Sequence, residues 1–440
     1  MKHNNTFFPI ETISREIDYK LLIASSLEKD VGAIVFAHHD FVDKLIMSSY
    51  SGVYFGKNIM NPKKNKLYKK AKNNNFIIAH LDEEGGIYQG LQTDIESFID
   101  TRLNIQSMNA DDIVFTWGKF QKNYFKLKVP SKNSPNIFST GHPKFDYLRK
   151  ELPLMYSEEK DNLINEYGEF ILVCTTFGFS LSPYGYEDTF SERNGYGISE
   201  YKTKRLVEEW SEQMHKTAHF IELIHIISNQ FPDKKIIVRN HVAEDKNFYT
   251  SSLKGLNNVI IENKGNSIAW INSAKLVIHN GSTTGLEAYL LKKPVINYVF
   301  RDNPKYDSMI TDKIGFKCYN EKEVIEVINK INNNQIFNNK NLFNNFDRDV
   351  LQNLNSQNDS TITDQLNLII KNKLKQKKIN VSLLKIYYFE FIYSLLNKIK
   401  YPIRKYFFRS KYRKFLADQK SFGGFDKASI LDKIKRIEKV

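Results

Sequence analysis

The sequence predicts an α/β protein made of two halves, each organised on a parallel sheet, followed by a basic tail. Short apolar runs rich in β-branched residues alternate with helical stretches, the order expected of parallel βα units. A charged helical stretch, roughly 151–167, falls between two such series. One segment, Ile278-His279-Asn280-Gly281-Ser282-Thr283-Thr284-Gly285-Leu286-Glu287-Ala288, sets three hydroxyls between two glycines at the carboxyl end of a strand, where open sheets bind ligands. At 440 residues there is room for two domains and an appendage, taking ~150 residues per domain. The boundaries read as 1–155, 156–370 and 371–440.

In the first half, residues 13–30 read as a helix, with Ile17, Leu21, Leu22 and Leu27 apolar and Arg15, Glu16 and Lys20 polar. A strand over 31–37 follows, with His38, His39 and Asp40 at its end, then a helix near 40–48. The next strands are Gly52-Val53-Tyr54-Phe55, residues 75–80, residues 112–118 and residues 136–143. The second of these runs into Leu81-Asp82-Glu83-Glu84-Gly85-Gly86.

The second half starts with a strand over 170–176 and continues through a long amphipathic helix, 201–230. Lys235-Ile236-Ile237-Val238-Arg239-Asn240-His241 is a strand with a polar end, and 258–261 is another. Ala274-Lys275-Leu276-Val277-Ile278 leads into the hydroxyl segment. There Gly281 lets the chain turn, and Ser282, Thr283 and Thr284 are good N-cap types. Leu286, Ala288, Leu290 and Leu291 carry a short helix that stops before Pro294, and 295–299 is the next strand. The Asn-rich stretch 331–358 reads as a surface helical connection, with no chemistry implied.

The formal charge of +14 is unevenly spread. Residues 371–440 hold 20 Lys/Arg against 5 Asp/Glu, whereas residues 1–370 hold 44 against 45. The body is therefore neutral, and the charge says nothing about its active site. In the tail, basic residues interleave with Leu383, Leu384, Phe389, Phe391, Tyr401, Tyr406, Phe407 and Phe408, a mixture suited to the headgroup region of an anionic bilayer. A nucleic-acid tail would not require so many aliphatics, and the body offers no basic stripe, so no nucleic-acid partner is expected. Cys174 and Cys318 suit reduced core thiols. The N-terminus reads as lacking a signal peptide, and no run of 18 uncharged apolar residues stands out, so the expected location is cytoplasmic.

Hydroxyls at a helix start, with backbone N–H groups and the positive end of the helix dipole, can hold a phosphate. Ser282, Thr283 and Thr284 are thus candidate ligands together with Asn280 and Gly281, although capping alone also accounts for such residues. Glu287, one turn further in, can accept hydrogen bonds from sugar hydroxyls. Arg239 and His241 can reach the same crevice, Arg239 with a bidentate fork. The carboxylates Asp82, Glu83 and Glu84 lie at a strand end before two glycines; mutual repulsion would favour a general base there, and a solvated acidic turn is the plain alternative. His142, near the hinge, either lines the cleft or shapes a turn. The chain carries no P-loop lysine motif, no GxGxxG after the first strand, no HExxH, no CxxC and no Asp-x-Asp at a strand end, so no cofactor or metal is expected.

Four stretches together carry a resemblance: Leu81-Asp82-Glu83-Glu84-Gly85, Thr140-Gly141-His142-Pro143-Lys144-Phe145-Asp146-Tyr147-Leu148-Arg149, Val238-Arg239-Asn240-His241, and His279 to Ala288 with Lys293-Pro294-Val295. In order and spacing they resemble the bacterial surface-carbohydrate biosynthesis proteins, similar to capsule and O-antigen glycosyltransferases of the GT-B type. The likeness covers roughly residues 13–300. It implies two Rossmann-like domains facing a cleft, a nucleotide-sugar donor on the C-terminal one, and a glycan or lipid-linked acceptor on the N-terminal one. Lys144 joins His142 as a cleft residue on this basis. Related enzymes use CMP-activated 2-keto acid sugars (Kdo or pseudaminic and legionaminic acids), which makes a CMP-sugar the expected donor. Two departures stand out: Arg239-Asn240-His241-Val242 replaces the usual Arg-Pro-His-Pro, and His142-Pro143-Lys144 replaces Asn-Pro-Arg. The expected activity is glycosyl transfer at the inner face of the cytoplasmic membrane. A CDP-glycerol-type polyol-phosphate transferase and a non-catalytic capsule-assembly partner are the alternatives.

Overall fold

The computed structural model describes residues 5–11, 13–27, 34–38, 42–43, 52–56, 65–83, 88–103, 105–129, 134–148, 155–307, 310–335, 361–374 and 433–436. The first lobe runs β1 (Thr6–Ile10), α1 (Ile13–Leu27), β2 (Ile34–His38), β3 (Val53–Gly56), α2 (Asn65–Asn73), β4 (Ile77–Leu81), α3 (Gln92–Arg102), β5 (Ile113–Thr116), α4 (Lys119–Lys128) and β6 (Asn136–Ser139). All its strands are parallel, in the order β2-β1-β3-β4-β5-β6. The second lobe runs α5 (Ser157–Tyr167), β7 (Phe170–Cys174), α6 (Tyr186–Thr189), α7 (Glu200–Gln230), β8 (Lys235–Arg239), α8 (Lys246–Ser252) and β9 (Val259–Ile261). It continues with α9 (Ser267–Ser273), β10 (Leu276–His279), α10 (Thr283–Leu290), β11 (Val295–Tyr298), β12 (Phe316–Cys318) and α11 (Glu321–Asn332). Its order, β12-β11-β10-β7-β8-β9, is again wholly parallel.

Each sheet is wound both ways from its first strand. The order reverses between β1 and β3 in the first lobe and between β7 and β10 in the second. Such switch points open crevices at the carboxyl ends of the strands, so the fold itself dictates where ligands can enter. Both faces of each sheet are covered, which is why central strands such as Phe170-Ile171-Leu172-Val173-Cys174 are apolar throughout and buried throughout. One apolar core runs continuously from the first sheet (Phe8, Phe55, Phe115) past Trp117, Phe145 and Tyr156 to Phe170 and Trp270 of the second.

Strand β1 is one element that periodicity missed. Pro9 argues against an interior strand because it cannot donate to a ladder. Here β3 pairs only with Thr6 and Phe7, and Pro9 lies opposite Ala37 of β2, beyond the reach of that shorter neighbour. Periodicity also missed β12 and several helices, among them α12 (Ile362–Leu374), which returns to the first lobe and packs on α1. Buried Asp146 accepts hydrogen bonds from the N–H groups of Ile362 and Thr363 at 2.9 and 2.8 Å and from the Thr363 hydroxyl at 2.7 Å, capping α12 from a distant part of the chain. Of the helix expected near 40–48 only Val42 and Asp43 are described, both helical; the Asn-rich connection beyond 335 and the tail aromatics lie outside the described residues. Of the tail, residues 433–436 contribute Lys433, paired with Asp18, and Arg436, paired with Glu158 and Glu159. No helix among the described residues is long and apolar enough to cross a membrane.

Candidate functional site

The hydroxyl segment stands at the β7/β10 switch point. Gly281 turns the chain with φ +63°, in the left-handed region that favours glycine. Ser282 is the N-cap of α10, and its Oγ accepts from the Thr284 N–H at 3.2 Å. That hydroxyl therefore accepts in capping, and Ser282, Thr283 and Thr284 all line the cleft. Gly285 is required by close approach, since a Cβ there would meet the ring of buried His279 at 2.4 Å. Burial holds the His279 imidazole neutral, pulling its pKa down to about 3, and its Nδ1 accepts from the Ser282 N–H. Glu287 accepts from the Ser267 hydroxyl at 2.9 Å and faces the same space. Asn280 donates to the Tyr298 carbonyl at 2.8 Å and sits behind the turn.

Next to this turn, β8 delivers Arg239 and His241. Arg239 stacks over Trp270 at 5.6 Å, and its two terminal nitrogens donate to the carbonyls of Lys264 and Gly265 at 2.7 and 2.6 Å. The fork expected for a phosphate is thus engaged by backbone oxygens. His241 is kept neutral, its pKa lowered to about 3 by burial and then by Arg15. Arg15, from α1 of the opposite lobe, lies 2.7 Å from His241 Nε2 and must be the donor there. Below them, Glu244 accepts from the Thr175 hydroxyl, the Tyr249 hydroxyl and the N–H groups of Phe177 and His241. This one carboxylate ties together the loops after β7 and β8. Burial raises its pKa to about 6 against those stabilising donors.

The first lobe supplies the facing wall. Glu83 follows β4 and points into the cleft, where the Tyr19 hydroxyl donates to Oε1, Lys20 Nζ lies 3.6 Å from Oε1 and His142 Nε2 lies 3.4 Å from Oε2. His142 is fully buried and neutral, with its pKa lowered mainly by burial. The Lys144 N–H donates to its Nδ1 at 3.1 Å, which assigns the ring proton to Nε2, toward Glu83. Lys144 places its ammonium over Trp117 at 4.7 Å and reaches the cleft. Asp82 takes the other direction: it is buried and held by Arg102 through Nε at 2.6 and 2.8 Å and Nη2 at 2.5 Å. Adjacent residues at a strand end point to opposite sides, so the acidic pair divides into one cleft carboxylate and one structural ion pair. Glu84 lies outside the described residues.

The lobes enclose a cleft of about 610 Å³, with Glu83 and Lys144 on one side and Arg239, His241, Thr283, Thr284 and Glu287 on the other. That volume is in the range of small-ligand sites. The arrangement sets a carboxylate and a hydroxyl-bearing helix N-terminus in the walls of one cleft. Sequence reasoning did not single out Arg15, Tyr19, Lys20, Glu244 or the pocket-lining Cys174. A helix position facing a remote lobe has no local signature; Cys174, ending an apolar strand at the switch point, did have one.

Two doubly wound parallel sheets facing a cleft, with a C-terminal helix returning to the first lobe, make this an α/β protein of the GT-B type. No protein-family model matches the chain, and no curated protein does. Among solved structures, the chain is similar to the UDP-GlcNAc 2-epimerase of Methanocaldococcus jannaschii in complex with UDP-GlcNAc and UDP, at 16% identity over 79% of this chain and 98% of that one, with a TM-score of 0.46. It is similar to S. aureus MnaA with UDP at 12% identity over 87% and 99%, TM-score 0.46. The wall teichoic acid polymerase TagF, as its H444N variant, gives 13% identity over 84% and 88%, TM-score 0.44.

Proposed function

We propose that this protein is an enzyme of bacterial surface polysaccharide biosynthesis that transfers a sugar from a nucleotide donor to a glycan or lipid-linked acceptor. The observation that carries the reading is that Glu83 and the Thr283–Thr284 turn face one cleft from opposite lobes. In the transfer, the acceptor oxygen attacks the anomeric carbon while the bond from that carbon to the phosphate oxygen breaks. Glu83 takes the acceptor proton, with Tyr19, Lys20 and His142 fixing the orientation of its carboxylate. The electron pair leaves on the nucleotide phosphate, where Thr283, Thr284 and the N-terminus of α10 stabilise the growing charge, the role a metal plays in other enzymes. Glu287 binds the ribose hydroxyls.

For the donor we favour a CMP-activated 2-keto acid sugar, such as Kdo or a nonulosonate. Arg239 keeps further N–H donors beside the two given to carbonyls and Ser282 keeps its hydroxyl proton, so the cradle has donors for a nucleotide phosphate. The choice of CMP follows from the resemblance to transferases that use it. Arg15 and Lys144 supply cations for the sugar carboxylate on the opposite wall. A thermal-shift panel of CMP, CDP, UDP and GDP tests the assignment. Selective stabilisation by CMP supports it; a preference for CDP transfers the case to a polyol phosphate, a preference for UDP rejects both, and no response at all favours the non-catalytic role. The basic aromatic tail would hold the enzyme at the inner, anionic face of the membrane. Removal of residues 375–440, which spares α12, should release the protein from vesicles containing phosphatidylglycerol, and unchanged co-sedimentation would refute that role.

A further inference from the structure

Beside the cradle the cleft opens into a polar annex of about 30 Å³, and Gln89, Thr176, Glu209 and Gly281 line both spaces. Its inner wall is formed by Glu212 and Lys216 of α7, whose side chains are 4% and 9% exposed. Glu212 Oε2 accepts from Arg301 at 2.6 Å, but Oε1 has no hydrogen-bond partner. Lys216 Nζ stands 3.9 Å from that Oε1 and 3.7 Å from Asp307 Oδ1, which has no hydrogen-bond partner either. Those separations are too long for hydrogen bonds. Glu212 Oε1 and Asp307 Oδ1 therefore sit in long ion pairs with Lys216 and keep hydrogen-bonding capacity that a small polar group can take up.

The chemistry of that group is constrained from both sides. A hydroxyl accepts from an ammonium and donates to a carboxylate at once. A bare anion is repelled by Glu212 and Asp312 in the wall, and a bare cation by Lys216. The volume admits about two oxygen-sized atoms, taking ~10–15 Å³ for each. We infer that the annex is a hydroxyl-reading subsite: Lys216 and Glu212 bind a diol of the group attached to the nucleotide, one turn of chain away from the phosphate cradle. This rests on the nucleotide-donor reading above and adds to it the pair of side chains, outside the cradle, that selects the donor by its hydroxyls.

The test is titration calorimetry on the full chain with CDP-glycerol and CMP-N-acetylneuraminate, each beside its free nucleotide, CDP or CMP. At least one activated form should bind roughly tenfold or more tighter than its free nucleotide, because losing the hydroxyls leaves the hydrogen-bonding groups of Glu212 and Lys216 unmatched. Glu212→Gln and Lys216→Met should each erase that advantage while free-nucleotide affinity stays unchanged. Should the advantage survive both substitutions, or be absent in the unmodified protein that still binds nucleotide, the annex holds only water and the inference falls alone. Absence of any nucleotide binding overturns both readings. Thermal unfolding of the variants controls for loss of fold, and the result from whichever variant stays folded decides.

Discussion

Gly285→Ala probes the geometry of the cradle directly. A Cβ at this position stands 2.4 Å from Cε1 and Nε2 of His279 and 2.6 Å from Cδ2. The ring is fully buried and its Nδ1 is bonded to the Ser282 N–H, so it has little room to retreat. Two effects oppose each other. Alanine outranks glycine in a helix by up to ~1 kcal/mol. Overpacking a closed site costs ~1–3 kcal/mol, and contacts this short belong to the upper half of that range. The substitution should therefore destabilise by ~1–2 kcal/mol, read as a fall of a few degrees in Tm, with nucleotide binding weakened as Ser282 shifts. In a His279→Ala background the obstructing ring is gone, and the same Gly285→Ala change should stabilise by up to ~1 kcal/mol. Thermal unfolding of the four proteins measures the cycle. A rise in Tm for Gly285→Ala alone, or the same sign in both backgrounds, would refute the reasoning.

Glu83→Gln should lower transfer by ~10²–10⁴-fold with nucleotide affinity retained, and a fully active variant would remove Glu83 from the chemistry. Asp146→Ala leaves the buried Ile362 and Thr363 N–H groups unpaired although the Thr361–Asp364 capping pair stays, so a loss of ~2–4 kcal/mol is expected; unchanged unfolding would show that packing and that pair suffice to hold α12. Acid should destabilise the protein. His80 and His279 are buried neutral, with pKa values lowered by burial from 6.5 to about 4 and about 3, so below pH 6.5 the unfolded chain takes up protons that the folded one refuses. At pH 4.5 each costs ~2–3 kcal/mol. Glu244 works in the opposite sense: its pKa is raised from 4.5 to about 6, so acidification through that window returns ~2 kcal/mol. The two histidines outweigh it, and Tm measured from pH 6.5 to 4.5 should fall; a rise would contradict the assignment of both rings as neutral.

The sequence alone determined the two α/β halves, the long helix 200–230 and the glycine-hydroxyl turn before α10. These features are local: apolar runs, glycine backbone freedom and caps act within a few residues, so composition and spacing record them. Tertiary structure decided what the strand ends do. It sent Asp82 to Arg102 and Glu83 to the cleft, because successive side chains leave a strand on opposite sides and only the packing of α3 and α1 tells which side is which. It also brought Arg15 to His241 and Asp146 to α12, pairs separated by more than two hundred residues. Contacts of that range depend on how two sheets are docked, and a one-dimensional pattern of hydrophobic and polar residues does not encode that docking in any single segment.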